Sequence, residues 1–110
     1  MEDIKKARKI LKSLGEDTRL RIINLLHIRY MNVSELSQVL DATQPSISKH
    51  LTRLRLTGIV NEEREGQFTN YHLIKSDDKF QRDLINTIIK KLSDSKTAKE
   101  DIEKLKKLDS

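Results

Sequence analysis

The sequence predicts a mainly α-helical domain that carries one small β-hairpin. Apolar residues recur at three- and four-residue intervals up to residue 57 and again from residue 77, which is the spacing of one helix face. Between these regions, residues 59–73 contain two β-prone segments around Gly66, the pattern of two strands joined by a turn. A chain of 110 residues can bury one core. We place the domain at residues 1–93, with residues 94–110 as a C-terminal helical extension or tail.

Composition and charge exclude several kinds of site. The chain has no cysteine, which excludes disulfides and thiolate ligands and fits a reducing cytoplasm, where we expect the protein to reside. Residues 1–12 alternate charged and apolar side chains and lack the continuous apolar run of a signal peptide. No segment predicts a membrane span. The formal net charge of +5 favours a polyanionic partner without identifying one.

Two helices are expected in the N-terminal part of the chain. Apolar residues at helical spacing predict the first over residues 4–14, ending before Gly15. Asp17 or Thr18 can cap the second, because their side chains accept hydrogen bonds from backbone N–H groups of a first helical turn. The apolar face of this second helix predicts that it runs to about Arg29.

A third and a fourth helix follow, separated by a tight turn at residues 41–43. Ser34 can cap the third helix. Thr43 can cap the fourth, with Pro45 in its first turn, where the missing N–H costs nothing. The fourth helix should bury one narrow arc formed by Ile47, Leu51 and Leu54. Its opposite side is polar and positively charged, and Gly58 is expected to end it.

In the rest of the chain the spacing of apolar residues changes from that of a helix to that of strands, and then back to that of a helix. Residues 59–73 predict the hairpin, with its turn at residues 64–67. From Asp77 helical spacing returns, with an apolar stripe that needs burial against something large. The stripe comprises Phe80, Leu84, Ile85, Ile88, Ile89 and Leu92. From Thr97 the spacing repeats more weakly, which predicts a surface helix, a helix extension or a fraying end.

Three short helices followed by a hairpin assemble most economically as a winged helix-turn-helix, whose last helix can enter the major groove of DNA. Short polar side chains in the first turns of that helix can reach base edges. Side chains farther along it and near the hairpin turn can meet phosphates or the minor groove. The candidate DNA contacts are Gln44, Ser46, Ser48, Lys49, His50, Arg53, Arg64 and Gln67. For His50, which lies toward the buried edge, a hydrogen-bonded structural role is an equal alternative.

The order and spacing of these motifs resemble the ArsR/SmtB family of dimeric winged-helix repressors. The matching segments are LGEDTRLRI at 14–22, VSEL at 33–36, QPSISKHL at 44–51, LR at 54–55, REGQ at 64–67 and YHL at 71–73. The resemblance implies a recognition helix at residues 44–57, a wing at residues 60–73 on the DNA backbone or minor groove, and a homodimer on an imperfect palindrome of duplex DNA. It also implies an interface on the first and last helices, which we assign to Ile4, Ala7, Ile10, Leu11, Phe80, Leu84, Ile88 and Leu92.

The sequence departs from the family pattern at its best-known metal sites. Residues 32–36 read Asn-Val-Ser-Glu-Leu where the metal sensors of the family have Cys-Val-Cys-Asp-Leu, so a soft-metal site cannot form there. No histidine follows His72, which leaves the family's site on the final helix without its imidazoles. We therefore expect no metal and no cofactor. Pro45 replaces a family serine, and Glu62 and Glu63 place negative charge beside the wing.

These observations predict a transcriptional repressor that blocks access of polymerase. An enzyme is not expected, because the sequence offers no convincing carboxylate pair, catalytic triad or nucleotide-binding glycine pattern. Two alternatives stay open. The winged helix could dock a protein without binding DNA, or the protein could be a metal-responsive repressor with a site built from carboxylates and histidines. The effector, if there is one, is not indicated.

Overall fold

The computed structural model describes residues 2–110, and within this range the chain forms six helices around a three-stranded sheet. The helices are α1 (Glu2–Leu14), α2 (Asp17–Leu26), α3 (Val33–Leu40), α4 (Gln44–Leu56), α5 (Lys79–Leu92) and α6 (Lys96–Asp109). The strands are β1 (Met31–Asn32), β2 (Val60–Glu65) and β3 (Phe68–Leu73). The mainly helical class with a β-hairpin is confirmed. Met1, which the predicted domain includes, lies outside the described residues.

The second helix begins and ends differently from the prediction. Its N-cap is Glu16, whose carboxylate accepts a hydrogen bond from the backbone N–H of Arg19 at 3.0 Å, so the prediction of Asp17 or Thr18 as the cap was wrong. Asp17 is instead the first helical residue, where its charge is favourable beside the positive end of the helix dipole. The helix ends at Leu26, short of the predicted end.

The strand β1 and the start of α3 were not predicted correctly either. Met31 and Asn32 pair with Tyr71 and Asn70 of β3, which gives the sheet the order β1-β3-β2. Asn32 also caps α3, since its Oδ1 accepts from the backbone N–H of Glu35 at 2.8 Å. The Glu35 carboxylate accepts in return from the backbone N–H of Asn32 at 3.0 Å. This reciprocal capping box replaces the predicted Ser34 cap and joins the middle of β3 to the helix-turn-helix.

The turn between α3 and α4 is as short as predicted. Asp41 ends α3 in the left-handed conformation, with φ of 52°. Thr43 caps α4 through its Oγ1, which accepts from the backbone N–H of Ser46 at 3.3 Å, and Pro45 lies in the first turn, so both predictions are confirmed. The predicted buried arc is confirmed as well, because Ile47, Leu51 and Leu54 are all at most 1% exposed.

The hairpin lies where it was predicted, but its first strand is longer and its turn tighter than predicted. Strands β2 and β3 pair in antiparallel register from Val60 opposite Leu73 to Glu65 opposite Phe68. The turn is therefore confined to Gly66 and Gln67, with Gly66 at φ of 64°, a value that glycine adopts without strain. Arg64 and Glu65, predicted in the turn, belong to β2 instead. Ile59 and Val60 at the base of the hairpin are buried in the core, and Tyr71 and Leu73 of β3 pack against it while partly buried.

The two C-terminal helices pack on opposite parts of the molecule. Helix α5 contacts α1, and its N-cap Asp78 accepts from the backbone N–H of Phe80 at 3.0 Å. Helix α6 is a separate element against α2 and α3, with Leu105 buried in the main core. The guanidinium of Arg21 donates two hydrogen bonds, of 2.9 and 2.8 Å, to the buried Asp101 carboxylate of α6. The division of the chain at residue 93 stays a prediction.

None of the helices formed by residues 2–110 is both long and apolar enough to cross a lipid bilayer. Across the same residues, no three histidine or acidic side chains come together in an arrangement that could hold a metal ion.

Candidate nucleic-acid interface

The outward side of α4 is polar, positively charged and free of acid. Gln44, Ser48, Lys49 and Arg53 are exposed, and Ser46 is half-buried. Arg55 is also exposed, at the edge of α4 that meets the sheet, and the helix contains no aspartate or glutamate. Because the buried arc holds the helix from the opposite side, this face is presented to solvent in a fixed orientation.

His50 lies at the border between this face and the core. Its Nδ1 is 3.1 Å from Nη1 of Arg19 and 3.6 Å from the Glu16 carboxylate. A guanidinium can only donate hydrogen bonds, so the contact with Arg19 uses Nδ1 of His50 as the acceptor. Arg19 is itself held by the backbone carbonyl of Ser13, which accepts from its Nε. His50 therefore connects α4 to the start of α2, and this contact supports its structural role, while DNA contact through Nε2 stays a prediction.

The hairpin combines one cation with several acids. Arg64 and Gln67 are exposed, and Arg64 Nη1 is 3.5 Å from Thr69 Oγ1 on the facing strand. Strand β2 also carries Glu62, Glu63 and Glu65, all exposed. At the tip Phe68 is 53% exposed. The strand thus has three acids for one arginine, and any phosphate contact of Arg64 takes place beside negative charge.

Tyr71 supports the hairpin from its inner side. Burial and the neighbouring Glu62 carboxylate raise the pKa of the Tyr71 phenol above its ordinary value of 10.0, because both favour the neutral form. Arg55 of α4 acts in the opposite direction. The same effects show that Tyr71, Glu62 and Arg55 are electrostatic neighbours where α4 meets the sheet.

The residues assigned to a dimer interface divide into three groups. Ile4 and Leu11 of α1 are 66% and 53% exposed, so they form an uncovered apolar strip. Five others are half-buried, namely Ala7, Phe80, Leu84, Ile88 and Leu92. Ile10 is only 4% exposed and belongs to the core of its own chain, together with Leu14. The helical spacing of α1 could not separate Ile10 from Leu11, because each belongs to an apolar face of that helix.

One exposed apolar residue of α4 was missed from the sequence. Leu56 is 74% exposed. A rotation of about 100° per residue places it close to Lys49, seven positions earlier, on the outward side. The same count that identified the buried arc could therefore have found Leu56, which broadens the exposed face at its C-terminal end.

Comparisons with known proteins agree with this arrangement. A model of the arsR family of bacterial regulatory proteins matches residues 16–62, which include α3 and α4. An uncharacterised HTH-type transcriptional regulator from Methanocaldococcus jannaschii is 39% identical over 75 residues, which cover 67% of this chain and 84% of that protein. The chain belongs to the ArsR family of transcriptional regulators. The winged helix-turn-helix predicted from the sequence and the resemblance on which it drew are confirmed.

Further proteins resemble the chain in sequence and structure. The transcriptional activator HlyU from Vibrio cholerae is 34% identical over 83 residues, or 76% of this chain and 77% of HlyU. The structure of reduced HlyU superposes with a TM-score of 0.72 at 30% identity, covering 84% of this chain and 90% of that one. A homodimeric winged helix-turn-helix DNA-binding domain from Mycobacterium bovis superposes with a TM-score of 0.65 at 20% identity, covering 81% and 82%. This last likeness shows the fold alone.

Proposed function

We propose that this ArsR-family regulator is a cytoplasmic homodimer that represses transcription by binding an imperfect palindromic operator, with α4 of each protomer in the major groove. The observation that carries the proposal is the outward side of α4, which combines two cations, Lys49 and Arg53, no acid and short polar side chains near its N-terminus. An α-helix fits the major groove, and such side chains are of the size needed to approach base edges.

Individual contacts follow from the chemistry of each side chain. The Gln44 amide can pair with the N6 and N7 atoms of adenine, and Lys49 can donate to O6 and N7 of guanine. Ser46 and Ser48 are short enough to bind either base edges or phosphates. Arg53, two turns into the helix, is suited to a phosphate, which fixes position without reading sequence.

The proposed dimer rests on the uncovered strip of α1. Ile4 and Leu11 lie on the helix that packs against α5, so a second copy could cover them together with the half-buried side chains of Phe80, Leu84 and Ile88. The Mycobacterium bovis protein of the same fold is described as homodimeric. Two-fold symmetry then requires two half-sites about one helical turn, or roughly 34–36 Å, apart.

Repression is the simplest consequence of such binding, because an occupied operator excludes polymerase. HlyU, however, is named as an activator, so the sign of regulation needs its own measurement. A reporter placed behind the operator, with and without the protein, supplies it. Increased expression in the presence of the protein would contradict repression and leave the DNA-binding proposal intact.

The direct test begins with selection of bound duplexes from a randomised pool. We expect an enriched, imperfectly palindromic sequence whose association constant falls log-linearly with salt concentration. Lys49→Ala should reduce the salt slope by about one for each phosphate or base charge contact that is lost. Lys104→Ala, an exposed lysine of α6, is the matched control and should leave the slope unchanged. Equal binding to every duplex, or no binding at low salt, would refute the proposal in favour of a protein-docking module.

The dimer is tested separately by sedimentation. Leu11→Glu places a charge on the proposed contact at a position that the protomer itself leaves exposed, so the fold should tolerate it. We expect monomers and loss of operator binding. Ile28→Glu is the matched control, since Ile28 is 47% exposed outside the proposed interface. A Leu11→Glu protein that stays dimeric would place the interface elsewhere.

A further inference from the structure

A cavity of about 280 Å³ lies between the C-terminal end of α2, the end of β3 and the first half of α5. Four basic side chains line it, namely His27, His72, Lys75 and Arg82. We call it the basic cavity. It shares no lining residue with the proposed DNA contacts of α4 and the wing, and none with the assigned dimer interface.

The charge of the basic cavity is one-sided. None of the residues that line it, all within the described part of the chain, is acidic. The acids next in sequence are Asp77 and Asp78, which follow Ser76, and Asp83, which follows Arg82. The Asp83 carboxylate pairs with Lys79 at 2.6 Å, and its pKa is lowered first by Lys79 and also by Arg82. The Asp78 carboxylate is paired with Lys6 at 2.9 Å and caps α5, so it is already engaged on the other side. Lys75 and Arg82 therefore face the cavity without a lining counter-ion, which favours an anionic occupant.

Arg82 is held in a defined position. Its Nη1 donates to the backbone carbonyl of Ser76 at 2.9 Å, which fixes the guanidinium at the cavity wall. The remaining N–H groups of the planar guanidinium can still donate to two oxygen atoms side by side. This geometry matches a carboxylate, which Arg binds through paired, charge-assisted hydrogen bonds.

Apart from Ser76 and Asn86, the rest of the cavity lining is apolar and aromatic. Leu26 and Ile85, both buried, form part of its floor. Tyr30 stacks on His72 with ring centroids 4.5 Å apart and an angle of 14° between the planes, which gives one flat wall. An occupant with a small apolar body would contact this floor and wall, and a hydrated inorganic ion would not use them.

We propose that the basic cavity binds a small organic carboxylate whose charged end contacts Arg82 and Lys75. A volume near 280 Å³ is at the lower end of the range for ligand pockets, so the body is a single ring or a short aliphatic chain. Among general probes, benzoate and hexanoate have this chemistry.

The position of the cavity connects it to regulation, a step that rests on the proposed function. Helix α5 contributes Arg82 and Ile85 to the cavity and Leu84 and Ile88 to the proposed dimer contact. Strand β3 contributes His72 to the cavity and continues back into the wing. A carboxylate bound here contacts both elements at once, so its binding is coupled to operator affinity if the two states of these elements differ in ligand contacts.

Ligand binding is measured first, on the full chain without DNA. Titration with benzoate or hexanoate up to about 10 mM, a range that detects millimolar dissociation constants, should shift the backbone amide NMR signals of residues 73–76 and 82–86. Benzamide, which has the same shape without the charge, should bind at least about ten-fold more weakly, as expected when a charge-assisted hydrogen bond is lost. Equal binding of benzamide, or no saturable shifts with either carboxylate, would overturn the proposal.

Variants then locate the site. Arg82→Gln should weaken benzoate binding about ten-fold or more, because the charged donor is lost. Lys75→Gln should weaken it by a smaller factor, and since Lys75 is exposed, this variant reports on the site even if Arg82→Gln fails to fold. Lys104→Gln is the control and should bind benzoate as the parent does. Weakening by Lys104→Gln equal to that by Lys75→Gln would indicate non-specific attraction and overturn the proposal.

Operator binding supplies the second readout. Saturating benzoate should change the operator affinity of the parent protein and leave that of Arg82→Gln unchanged. The salt slope of operator binding should be the same for Arg82→Gln and the parent. A reduced slope would mean that Arg82 contacts DNA phosphate and would overturn the assignment. Since the NMR titration needs no DNA, failure of the protein to bind any operator refutes the proposed function without affecting the carboxylate test.

Discussion

The helix α4 and the hairpin of β2 and β3 are the two parts of the proposed DNA interface, and they are built in opposite ways. Three fully buried side chains anchor α4 along its length, whereas every residue of β2 after Val60 is exposed. The outward face of α4 carries only positive charge, while β2 has three glutamates beside Arg64. This difference assigns base readout to α4 and the adjustment of DNA affinity to the hairpin. Base readout requires a rigid face, and the hairpin can only adjust affinity around it.

The acids of β2 should lower the affinity of the protein for DNA. A glutamate beside a phosphate contact lowers the affinity for any duplex, specific or not, because the phosphate backbone is the same everywhere. A contact by Gln44 or Lys49 to a base, by contrast, adds affinity only at the correct sequence. We infer that the acidic hairpin increases the share of total affinity that depends on sequence.

The largest effect concerns the anchoring of α4. Leu51→Ala should lower the free energy of unfolding by about 2–5 kcal/mol, because Leu51 is 1% exposed and its truncation leaves a cavity. Phe68→Ala, at the exposed tip of the hairpin, should cost less than about 0.5 kcal/mol. Urea unfolding followed by circular dichroism measures both. Similar losses for the two variants would show that the hairpin is anchored as firmly as the helix.

Base readout by α4 is expected to give the next largest effect. Gln44→Ala should weaken binding to the selected operator by about 1–3 kcal/mol per half-site and leave binding to unrelated duplexes nearly unchanged. Fluorescence anisotropy with the operator and a scrambled duplex compares the two. The exposed Gln38 of α3 provides the control variant Gln38→Ala. An equal loss on both duplexes for Gln44→Ala would mean that Gln44 contacts the backbone and reads no base.

The charges of β2 should produce smaller and opposite effects. Arg64→Ala should weaken binding to all duplexes and reduce the salt slope by about one. Glu63→Gln should strengthen binding to all duplexes about two-fold at low salt, since it removes a negative charge beside the backbone. Glu103→Gln, on α6, changes net charge equally and should have no such effect. If Glu63→Gln leaves every affinity unchanged, the hairpin does not approach DNA.

The smallest effect appears at alkaline pH. Because the folded protein raises the pKa of Tyr71, the stability that it contributes is complete below the ordinary value of 10.0 and is lost as pH rises through the folded pKa. Tyr71→Phe cannot ionise and should escape this loss. Comparing urea unfolding of the two proteins at neutral pH and above the ordinary pKa measures it. A constant difference between them across this range would contradict the burial of the phenol.

The same comparison shows what the sequence could predict. The bounds of α4 depend on local signals, because Thr43, Pro45 and Gly58 each favour one backbone position through their own chemistry. The strand β1 has no such signal. Two residues are too few to show a period, and Met31 and Asn32 are extended because they pair with β3, far along the chain. The capping box of α3 was missed with it, since Asn32 performs both roles.

The misplaced hairpin turn and the grouping of Ile10 with Leu11 have similar physical reasons. The hairpin turn was placed two residues early because Arg64 and Glu65 are polar, and exposed strand residues have the same composition as turn residues. For α1, helical spacing shows that Ile10 and Leu11 both belong to apolar faces. Only the packed structure shows that Ile10 is covered within the chain and Leu11 is not. The roles of these residues and of the DNA-contacting set remain predictions.

The contact between α1 and the end of α4 has a consequence for the operator. Ser13, which is fully buried, lies with its Oγ 2.9 Å from Oγ1 of Thr57, at the C-cap of α4. A hydrogen bond thus links the helix proposed to join the protomers directly to the helix proposed to read DNA, with no flexible segment between them. Adding one base pair at the operator centre would rotate one half-site by about 36° relative to the other. A connection this short offers no joint at which the protein could follow that rotation, so the spacing of the two half-sites becomes part of what the protein recognises.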